Sequence, residues 1–452
     1  MAQILADVYQ NVRDPIGRRG ARGNGEDDDT EAIQRAINTG RHVLFPQGTV
    51  STFTNEDGSF NHIEVNPYKI LGKLKFKHDG QRCTFLAGAI LELDSALASV
   101  EITGKNQTFI GLRITVGNEE DSNLPASSLG TAIPNPCLLI TGADGLLLED
   151  VQVSCGSAAT LVRIQDTVGI TIQGGQFHGV NEVELSTGLE LGDGVKDFSA
   201  VALAIDNLGY GVRFEGATES ISFVDCTIEQ EIVNMVEVRG QVRGLSLLGV
   251  HMETGKGHHF IVVQPGGGVY GGSIAACEFG QLATHHREWG AGPGKAVRPR
   301  LPATDALSSA PRRVFVIGGA WCGVNVSGCF HNGGSEPASE HAVWELQPTS
   351  TVSQSCDQFN VWTDVVVVTG ANASALPTLT SDGSGRLTFG AHGILIKASE
   401  IGFFGNAPVA RPGKYTTEAR TARNVLMNDT YSVLATLLAD LGRLGLIDCR
   451  VK

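Results

Sequence analysis

The stretch "ISFVDCTI" (221–228) and its five counterparts decide the fold of this chain. Between residues 137 and 283 the chain repeats a unit of apolar strand, turn, apolar strand and turn, and each of the six stretches is the second strand of one unit. The six stretches read "LLLEDVQV", "ITIQGGQF", "FSAVALAI", "ISFVDCTI", "LSLLGVHM" and "GSIAACEF". They end at Val153, Phe177, Ile205, Ile228, Met252 and Phe279, and the successive gaps of 24, 28, 23, 24 and 27 residues average about 25.

A period near 25 with two or three short strands and no helix predicts a parallel β-helix. Each coil has an apolar face that it can bury only against a stacked neighbour. A propeller needs longer, four-stranded blades, and a leucine-rich repeat needs its own signature. Further coils are predicted at 100–116 and at 314–330, the latter ending at Phe330. Glycine supplies 57 of 452 residues, nearly twice the usual share of about 7%, which fits many tight turns.

The period divides the chain into four predicted segments. Residues 1–50 form an N-terminal capping segment, and 51–335 form the β-helix with a Gly-, Pro- and Arg-rich loop insertion at 285–313. Beyond 335 the period fades, and 336–398 is predicted to be a small, separate β domain. In the last segment, 399–452, leucines of "DTYSVLATLLADLGRLGLI" (429–447) form one stripe of an amphipathic helix. Such a stripe packs either on its own domain or on copies of itself in a trimer.

Composition excludes several classes of function. The net charge of −14 argues against non-specific nucleic-acid binding, which needs a basic surface. The nine cysteines include no C-x-x-C pair, so neither a zinc ribbon nor a thioredoxin-like motif is predicted. Neither a signal-peptide pattern nor an apolar run of membrane-spanning length is found, and we expect no membrane insertion. No cofactor is predicted.

The segment "GARGNGEDDDTEAIQRAI" (20–37) predicts a short helix that closes the first coil. Asp28 or Asp29 can cap its N-terminus, with Glu31 as the capping-box partner of Asp28. The apolar face is narrow and consists of Ala32, Ile33, Ala36 and Ile37. The glycines and acids are therefore interpreted as turn and cap residues, and not as a phosphate or calcium site.

This N-terminal segment resembles that of the pectate-lyase-like right-handed β-helix superfamily, and in particular its branch of phage tailspikes and capsule depolymerases. Pro15 and Val50 depart from the usual pattern. The matching residues are Asn11-Val12, Gly20 to Gly25, Asp28-Asp29-Thr30, Ala32-Ile33, Ala36-Ile37 and Phe45 to Thr49. A shorter stretch, "SEIGFFGNAPVARP" (399–412), with the leucine helix after it, resembles the closing segment of phage fibre and spike proteins.

The resemblance implies a homotrimeric virion spike that binds host cell-surface polysaccharide. Such a protein is made in the host cytoplasm, leaves by lysis without a signal peptide, and contacts other virion proteins through its N-terminus. The alternatives are a polysaccharide depolymerase of the same fold, acting as hydrolase or lyase, and a secreted enzyme similar to pectate lyase. Fold alone does not decide among them.

The candidate chemistry lies one residue beyond the repeated anchors. There the sequence places Ser154, His178, Asp206, Glu229, Glu253 and Gly280, which form one column if the coils stack in register. Neighbours in such a column lie about 5 Å apart, and Asp206 and Glu253 about 10 Å. These distances bracket the carboxyl separations of retaining and inverting glycosidases. Glu231 and His251 lie close by in sequence. The alternative is that these residues are simply the solvated ends of strands.

Four further residues are candidates for glycan binding, namely His258, His259, Arg287 and Trp289. Aromatic rings stack on sugars and guanidinium groups hydrogen-bond to them. A tryptophan that anchors the insertion to the solenoid is an equally good interpretation. The group His285-His286-x-Glu288 has metal-ligand residue types but no third spaced ligand, so no metal site is predicted.

Overall fold

The computed structural model describes two compact units, 1–388 and 389–452. The described residues are 9–16, 19–54, 60–116, 135–155, 159–179, 186–229, 233–254, 259–281, 313–332, 342–347, 349–353, 356–358, 361–362, 368–369, 400–401 and 409–410. In the second unit they form one antiparallel pair, Glu400–Ile401 with Val409–Ala410. The leucine helix and most of the fibre-like segment lie outside them.

The first unit is a parallel β-helix, as the period predicts. Each coil contributes its first strand to a sheet of eleven parallel strands, here called sheet 1. The strands of sheet 1 are Lys73–Phe76, Ser99–Ile102, Leu138–Thr141, Thr160–Gln165, Thr187–Leu191, Tyr210–Phe214, Asn234–Val238, His259–Val263, Arg313–Ile317, Ala342–Leu346 and Val368–Thr369.

The remaining parallel strands form sheet 2, in which most coils place two successive strands. The first of the two, or both in one run, are Tyr9–Asn11, His42–Phe45, Arg82–Phe85, Thr108–Ile110, Leu147–Cys155, Val168–Gly179, Val195–Val201, Thr218–Val224, Gln241–Leu248, Gly268–Ala275, Ala320–Ser327, Thr351–Ser353 and Cys356–Gln358. The second are Tyr68–Ile70, Leu91–Leu93, Arg113–Val116, Ala204–Asp206, Thr227–Glu229, His251–Thr254, Glu278–Gln281, Phe330–Asn332 and Val361–Trp362.

The six repeated stretches stack in the register that the gaps predict. Val153 pairs with Phe177, and the series continues through Ile205, Ile228 and Met252 to Phe279. The next coil corrects the prediction by one residue, because His331 and not Phe330 lies opposite Phe279. Phe330 is 40% exposed whereas His331 is buried. A slip of one residue turns a side chain to the other face of a strand.

The core consists of inward-facing side chains that stack on their counterparts in neighbouring coils along the axis. Phe177, Phe198, Phe223 and Phe279 are at most 1% exposed, and each lies above a counterpart in the coil below. Truncating such a phenylalanine to alanine typically costs about 3–5 kcal/mol of stability. At the far end, Trp344 stacks on Phe315 with ring centroids 4.2 Å apart, and both are buried.

Strands after residue 335 extend the same two sheets. Ala342–Leu346 pairs in parallel with Arg313–Ile317, and Val361–Trp362 pairs with Phe330–Asn332. The sequence predicted a separate small β unit here. Apart from Ala342–Leu346, these strands are only two or three residues long, and a period is hard to recognise in such short stretches. The other predicted boundaries remain predictions.

The helix Thr30–Ile37 covers the first coil with the predicted apolar face, of which Ile33, Ala36 and Ile37 are buried. The capping box of Asp28 and Glu31 remains a prediction, and Oδ1 of Asp28 accepts a hydrogen bond from the backbone N–H of Thr30 at 3.0 Å. Asp29 is the N-cap residue, but its carboxylate accepts hydrogen bonds from the backbone N–H groups of Arg22 (2.6 Å) and Gly23 (2.9 Å). It therefore ties the glycine turn to the helix. In the part of the chain that is described, no helix is long and apolar enough to cross a membrane.

Candidate functional site

The predicted column exists, and it lies on the outer face of sheet 2. Asp206 is paired in register with Glu229, and Glu229 with Glu253. His178 precedes Asp206 in the column, and Gly280 follows Glu253. The three carboxylates therefore stand on three successive coils, and neighbouring parallel strands are about 4.8 Å apart. The register was predicted, whereas the catalytic role remains a prediction.

A turn residue and an anchor aim each carboxylate outward. The strands that end in Asp206 and Glu229 are three residues long, and each follows a residue in the left-handed region, Ala202 (φ 53°) or Asp225 (φ 50°). The residues just before the carboxylates, Ile205 and Ile228, are 1% exposed. Because side chains alternate along a strand, burial of the anchor sends the next side chain to solvent. Each of the six repeated stretches therefore contains a turn in its middle, which the sequence alone did not predict.

Asp206 is held by two side chains of the preceding coil. The amide N–H of Gln176 donates to Oδ2 at 2.9 Å, and Nδ1 of His178 lies 2.5 Å from Oδ1. The carboxylate side chain is 20% exposed and the imidazole 37%. Both oxygens of Asp206 therefore have defined partners on one side, and its position is fixed before any ligand arrives.

His251 joins the other two acids. Its Nε2 lies 3.3 Å from Oε2 of Glu253 and 3.7 Å from Oε1 of Glu229, and its Nδ1 lies 3.1 Å from Oε2 of Glu278. One imidazole thus contacts three carboxylates from three coils. The sequence named His251 as a neighbour of the column, and the structure places it in direct contact.

Glu229 is electrostatically distinct within the column. Burial raises the pKa of its carboxyl group; the nearby His251 lowers it, while the charges of Glu253 and Asp206 raise it further, and the outcome is a raised pKa. A carboxyl group that keeps its proton nearer neutrality can act as a general acid.

The pKa of His251 is also raised. Burial by itself lowers the pKa of the imidazole, but hydrogen bonds to Glu253 and Glu278 and the charges of Glu278 and Glu229 outweigh that effect. The surrounding carboxylates therefore favour the protonated form of His251, which offsets part of the repulsion between the acids.

Comparison with known proteins addresses the fold. The ORF18 protein of Geobacillus virus E2 superposes with a TM-score of 0.50 at 13% identity, over 82% of this chain and 63% of that chain. The chain has the right-handed parallel β-helix fold. The Dettilon tailspike protein (TM-score 0.45, 12% identity, 81% and 69% covered) and an endo-xylogalacturonan hydrolase from Aspergillus tubingensis (0.39, 11%, 82% and 99%) are also similar. No protein-family model and no curated protein matches.

A second column of charges lies on sheet 1 of the β-helix. Arg163, Glu190, Arg213 and Glu237 are paired in register, so their signs alternate. Arg163 and Glu190 form an ion pair in which Nε lies 2.6 Å from Oε1 and Nη2 donates a hydrogen bond to Oε2 at 3.2 Å. We call this column the charge ladder. It was not predicted, because the first strands of the repeats were read only for their apolar residues.

Glu237 is the most deeply buried acid of the charge ladder, with a side chain 2% exposed. Arg213 and Arg239 lie 3.5 and 3.2 Å from its Oε2, and the amide of Gln264 donates to Oε1 at 2.5 Å. Arg213 also lies over the ring of Tyr210, 4.7 Å from its centroid. This carboxylate is thus matched by two cations and an amide.

Of the other predicted site residues the structure describes only His259, which lies on sheet 1 and not in the acid column formed by Asp206, Glu229 and Glu253 on sheet 2. His259 begins the sheet 1 strand His259–Val263 and pairs with Asn234 and Arg313. Glu231, His258, Arg287 and Trp289 lie outside the described residues. The glycan-binding roles of these residues remain predictions.

Two contributors were missed, Gln176 and Glu278. Each lies two residues before a column position, and the period of two along a strand places both on the outer face. Applying that alternation one step back from each anchor would have found them. Atoms of Glu229, His251 and Glu253 also lie within 4.8 Å of one another and are the types that hold metal ions. The proton chemistry above involves the same atoms, and we assign no metal to them.

Proposed function

We propose that this β-helix binds a polysaccharide along sheet 2 and cleaves it as a glycoside hydrolase at the acid column. The observation that carries the proposal is one carboxyl group of raised pKa, Glu229, in register between two further carboxylates, Asp206 and Glu253. Glycosidases need one protonated and one ionised carboxyl group on either side of the scissile bond. Environments that separate the pKa values of neighbouring acids assign these roles.

Glu229 is the general acid that protonates the glycosidic oxygen of the leaving sugar. Asp206, held by Gln176 and His178, is the carboxylate that either attacks the anomeric carbon or removes a proton from the attacking water. Glu253 and His251 set the field around Glu229. The negative charge of Glu253 favours the protonated acid, and His251 favours its conjugate base after proton transfer.

The spacing of the column accommodates both stereochemical outcomes. Carboxyl groups one coil apart, about 4.8 Å, are close to the roughly 5–5.5 Å of retaining enzymes. The outer pair, Asp206 and Glu253, is two coils apart, near the upper end of the roughly 6.5–9.5 Å of inverting enzymes, and in that case Glu253 would replace Glu229 as the general acid. The anomeric configuration of the first product, read by NMR, distinguishes the two pairs.

The proposal is tested by incubating the full chain with bacterial surface polysaccharides and assaying new reducing ends. Absorbance from unsaturated uronates is followed in parallel, because it reports lyase chemistry. We expect reducing ends without unsaturation, and loss of this activity in D206N, E229Q and E253Q.

Glu219 offers a matched control variant. It lies on sheet 2, is half exposed and pairs with Lys196 in a column other than the acids. E219Q should cleave like the unmodified chain. Activity that survives all three column substitutions, or product that absorbs as an unsaturated uronate, would contradict the hydrolase.

We further propose that the protein works as a virion spike that binds host cell-surface polysaccharide. The phage-like N-terminal and C-terminal sequence segments support this, together with the fold likeness to a protein of Geobacillus virus E2. A trimer through the leucine helix is part of the proposal. Light scattering on the full chain should give three times the chain mass, and antibody labelling should decorate particles. A stable monomer would contradict the trimer.

A further inference from the structure

The outer face around the acid column is charged with one sign. Two neighbouring columns contribute twelve described positions over six coils, from Gln152 and Ser154 to Glu278 and Gly280. Four of them are acids, two are histidines, and none is lysine or arginine. The acids are Asp206, Glu229, Glu253 and Glu278.

Cations of this face lie further along the axis. In the same column as Gln152, the first is Arg113, which pairs with Gln152 and stands three coils from Ala204. That is about 14 Å by the coil spacing, beyond the screening length of about 8 Å at physiological salt. Lys196 and Arg243 belong to another column, on the first of the two sheet 2 strands of their coils, where they lie on either side of Glu219. Among the described side chains beside the acids, only the imidazoles of His178 and His251 can carry positive charge.

These imidazoles are already engaged. Nδ1 of His178 faces Asp206, and the two nitrogens of His251 face Glu253, Glu229 and Glu278. A carboxylate carried by the substrate in the sugars next to the scissile bond would add a negative charge to a face on which Asp206, Glu253 and Glu278 have only these two imidazoles as counter-charges. Like charges placed together across an interface suppress the wrong partner.

We infer that the acid column takes neutral polysaccharide and discriminates against polymers that carry uronate groups beside the cleaved bond. The inference rests on the proposed function, and it adds the substrate class. Glu278 is the specificity-determining residue best suited to test it. It is 52% exposed, lies at the end of the acidic face and contacts the column only through His251.

The experiment uses uronate-containing bacterial capsular polysaccharides, each in native form and after carbodiimide–borohydride reduction. Reduction converts each carboxylate to a primary alcohol and leaves the linkages unchanged. Binding of both forms to the full chain is measured by calorimetry, and cleavage by reducing ends. For polymers that bind, we expect the reduced form to bind at least about tenfold more tightly, and added salt to narrow the ratio.

Charge variants of Glu278 test whether the ratio of the two affinities, for reduced and for native polymer, depends on the acidic face. E278Q should reduce the preference for the reduced form, and E278K should reduce it further. E219Q, which removes an equally exposed acid of sheet 2, should leave the preference unchanged. Using both Glu278 variants keeps the test informative if the lysine variant folds poorly.

The outcomes separate the two proposals. Tighter binding of native uronate polymers, or a preference that neither Glu278 variant changes, overturns the inference even when Asp206-dependent cleavage is found. Charge-selective binding without cleavage overturns the hydrolase and leaves the selection in place. A chain that binds no polymer in either form overturns both.

Discussion

Two columns of ionisable side chains run along the same coils, one on each sheet, and they are built in opposite ways. On sheet 1, the charge ladder alternates Arg163, Glu190, Arg213 and Glu237, and its acids are nearly buried. On sheet 2, Asp206, Glu229 and Glu253 repeat one sign and stay partly exposed. Stacking in register forces equivalent positions together, so both arrangements are consequences of sequence.

The difference indicates that the charge ladder serves the stability of the fold and that the acid column serves chemistry. Removing a buried acid that is matched by cations destabilises the folded state, because the cations lose a partner in a poorly solvated place. A line of acids with too few cations costs stability, and in this line burial, together with the charges of Glu253 and Asp206, raises the pKa of Glu229. Strained or electrostatically unfavourable arrangements of this kind concentrate at functional sites.

The largest expected effect is on catalysis. D206N and E253Q should each lower the rate of reducing-end release by about 10²–10⁴-fold, because each removes a carboxylate that acts in or around proton transfer. The thermal unfolding temperature should stay within a few degrees of the unmodified chain. The double variant should lose little more activity than the less active of the two single variants, since the acids act as a unit. Independent, multiplying losses would contradict a shared site.

The next effect is on stability and belongs to the charge ladder. E237Q should lower the free energy of unfolding by about 2 kcal/mol, because Arg213 and Arg239 would lose the buried carboxylate of Glu237 and keep only that of Glu215. Urea unfolding measures the change. E219Q, at an exposed pair, should change stability by at most about 1 kcal/mol. Equal urea midpoints for E237Q and E219Q would contradict the contrast between the columns.

A smaller effect is the pH dependence of stability at Glu229. Its pKa is raised in the folded state, so its favourable contribution is present below the ordinary value near 4.5 and is lost as pH rises through the folded value. E229Q should therefore unfold at a higher temperature than the unmodified chain at pH 7, and at about the same temperature at pH 4. An E229Q chain that is less stable at pH 7 would show Glu229 to be structural.

The smallest effect concerns His251. Its folded pKa is raised, so its stabilising contribution is present below the ordinary value near 6.5 and is lost as pH rises through the folded value. H251Q should be less stable than the unmodified chain at pH 6, by less than about 1 kcal/mol, and nearly equal at pH 9. Thermal scans at both values check this. A deficit that grows towards pH 9 would rule out the ion pairs with Glu253 and Glu278.

The acid column was predictable from sequence because its anchors are apolar and periodic. Ile205, Ile228 and Met252 must all face inward, and that alone fixes which residue comes next on the outer face. Phe330 shows the limit of this reasoning. After a long insertion the spacing no longer sets the register, and the apolar residue lay one position before the inward one, His331.

Contacts between coils were not predictable. The approach of His178 to Asp206, and of His251 to three acids, depends on rotamers across strands that are about 25 residues apart. The charge ladder depends on the same long-range pairing. Asp29 illustrates it at short range, since a turn seven residues earlier uses the carboxylate that local sequence assigned to the helix cap.

The central claim is that the acids of sheet 2 perform chemistry whereas those of sheet 1 hold the fold. The most direct test is the rate of reducing-end release by E229Q and E237Q on one polysaccharide, at a temperature where both are folded. We predict a loss of about 10²-fold or more for E229Q and a rate close to that of the unmodified chain for E237Q. An E229Q chain that retains the full rate, or an equal loss in both variants, would contradict the account.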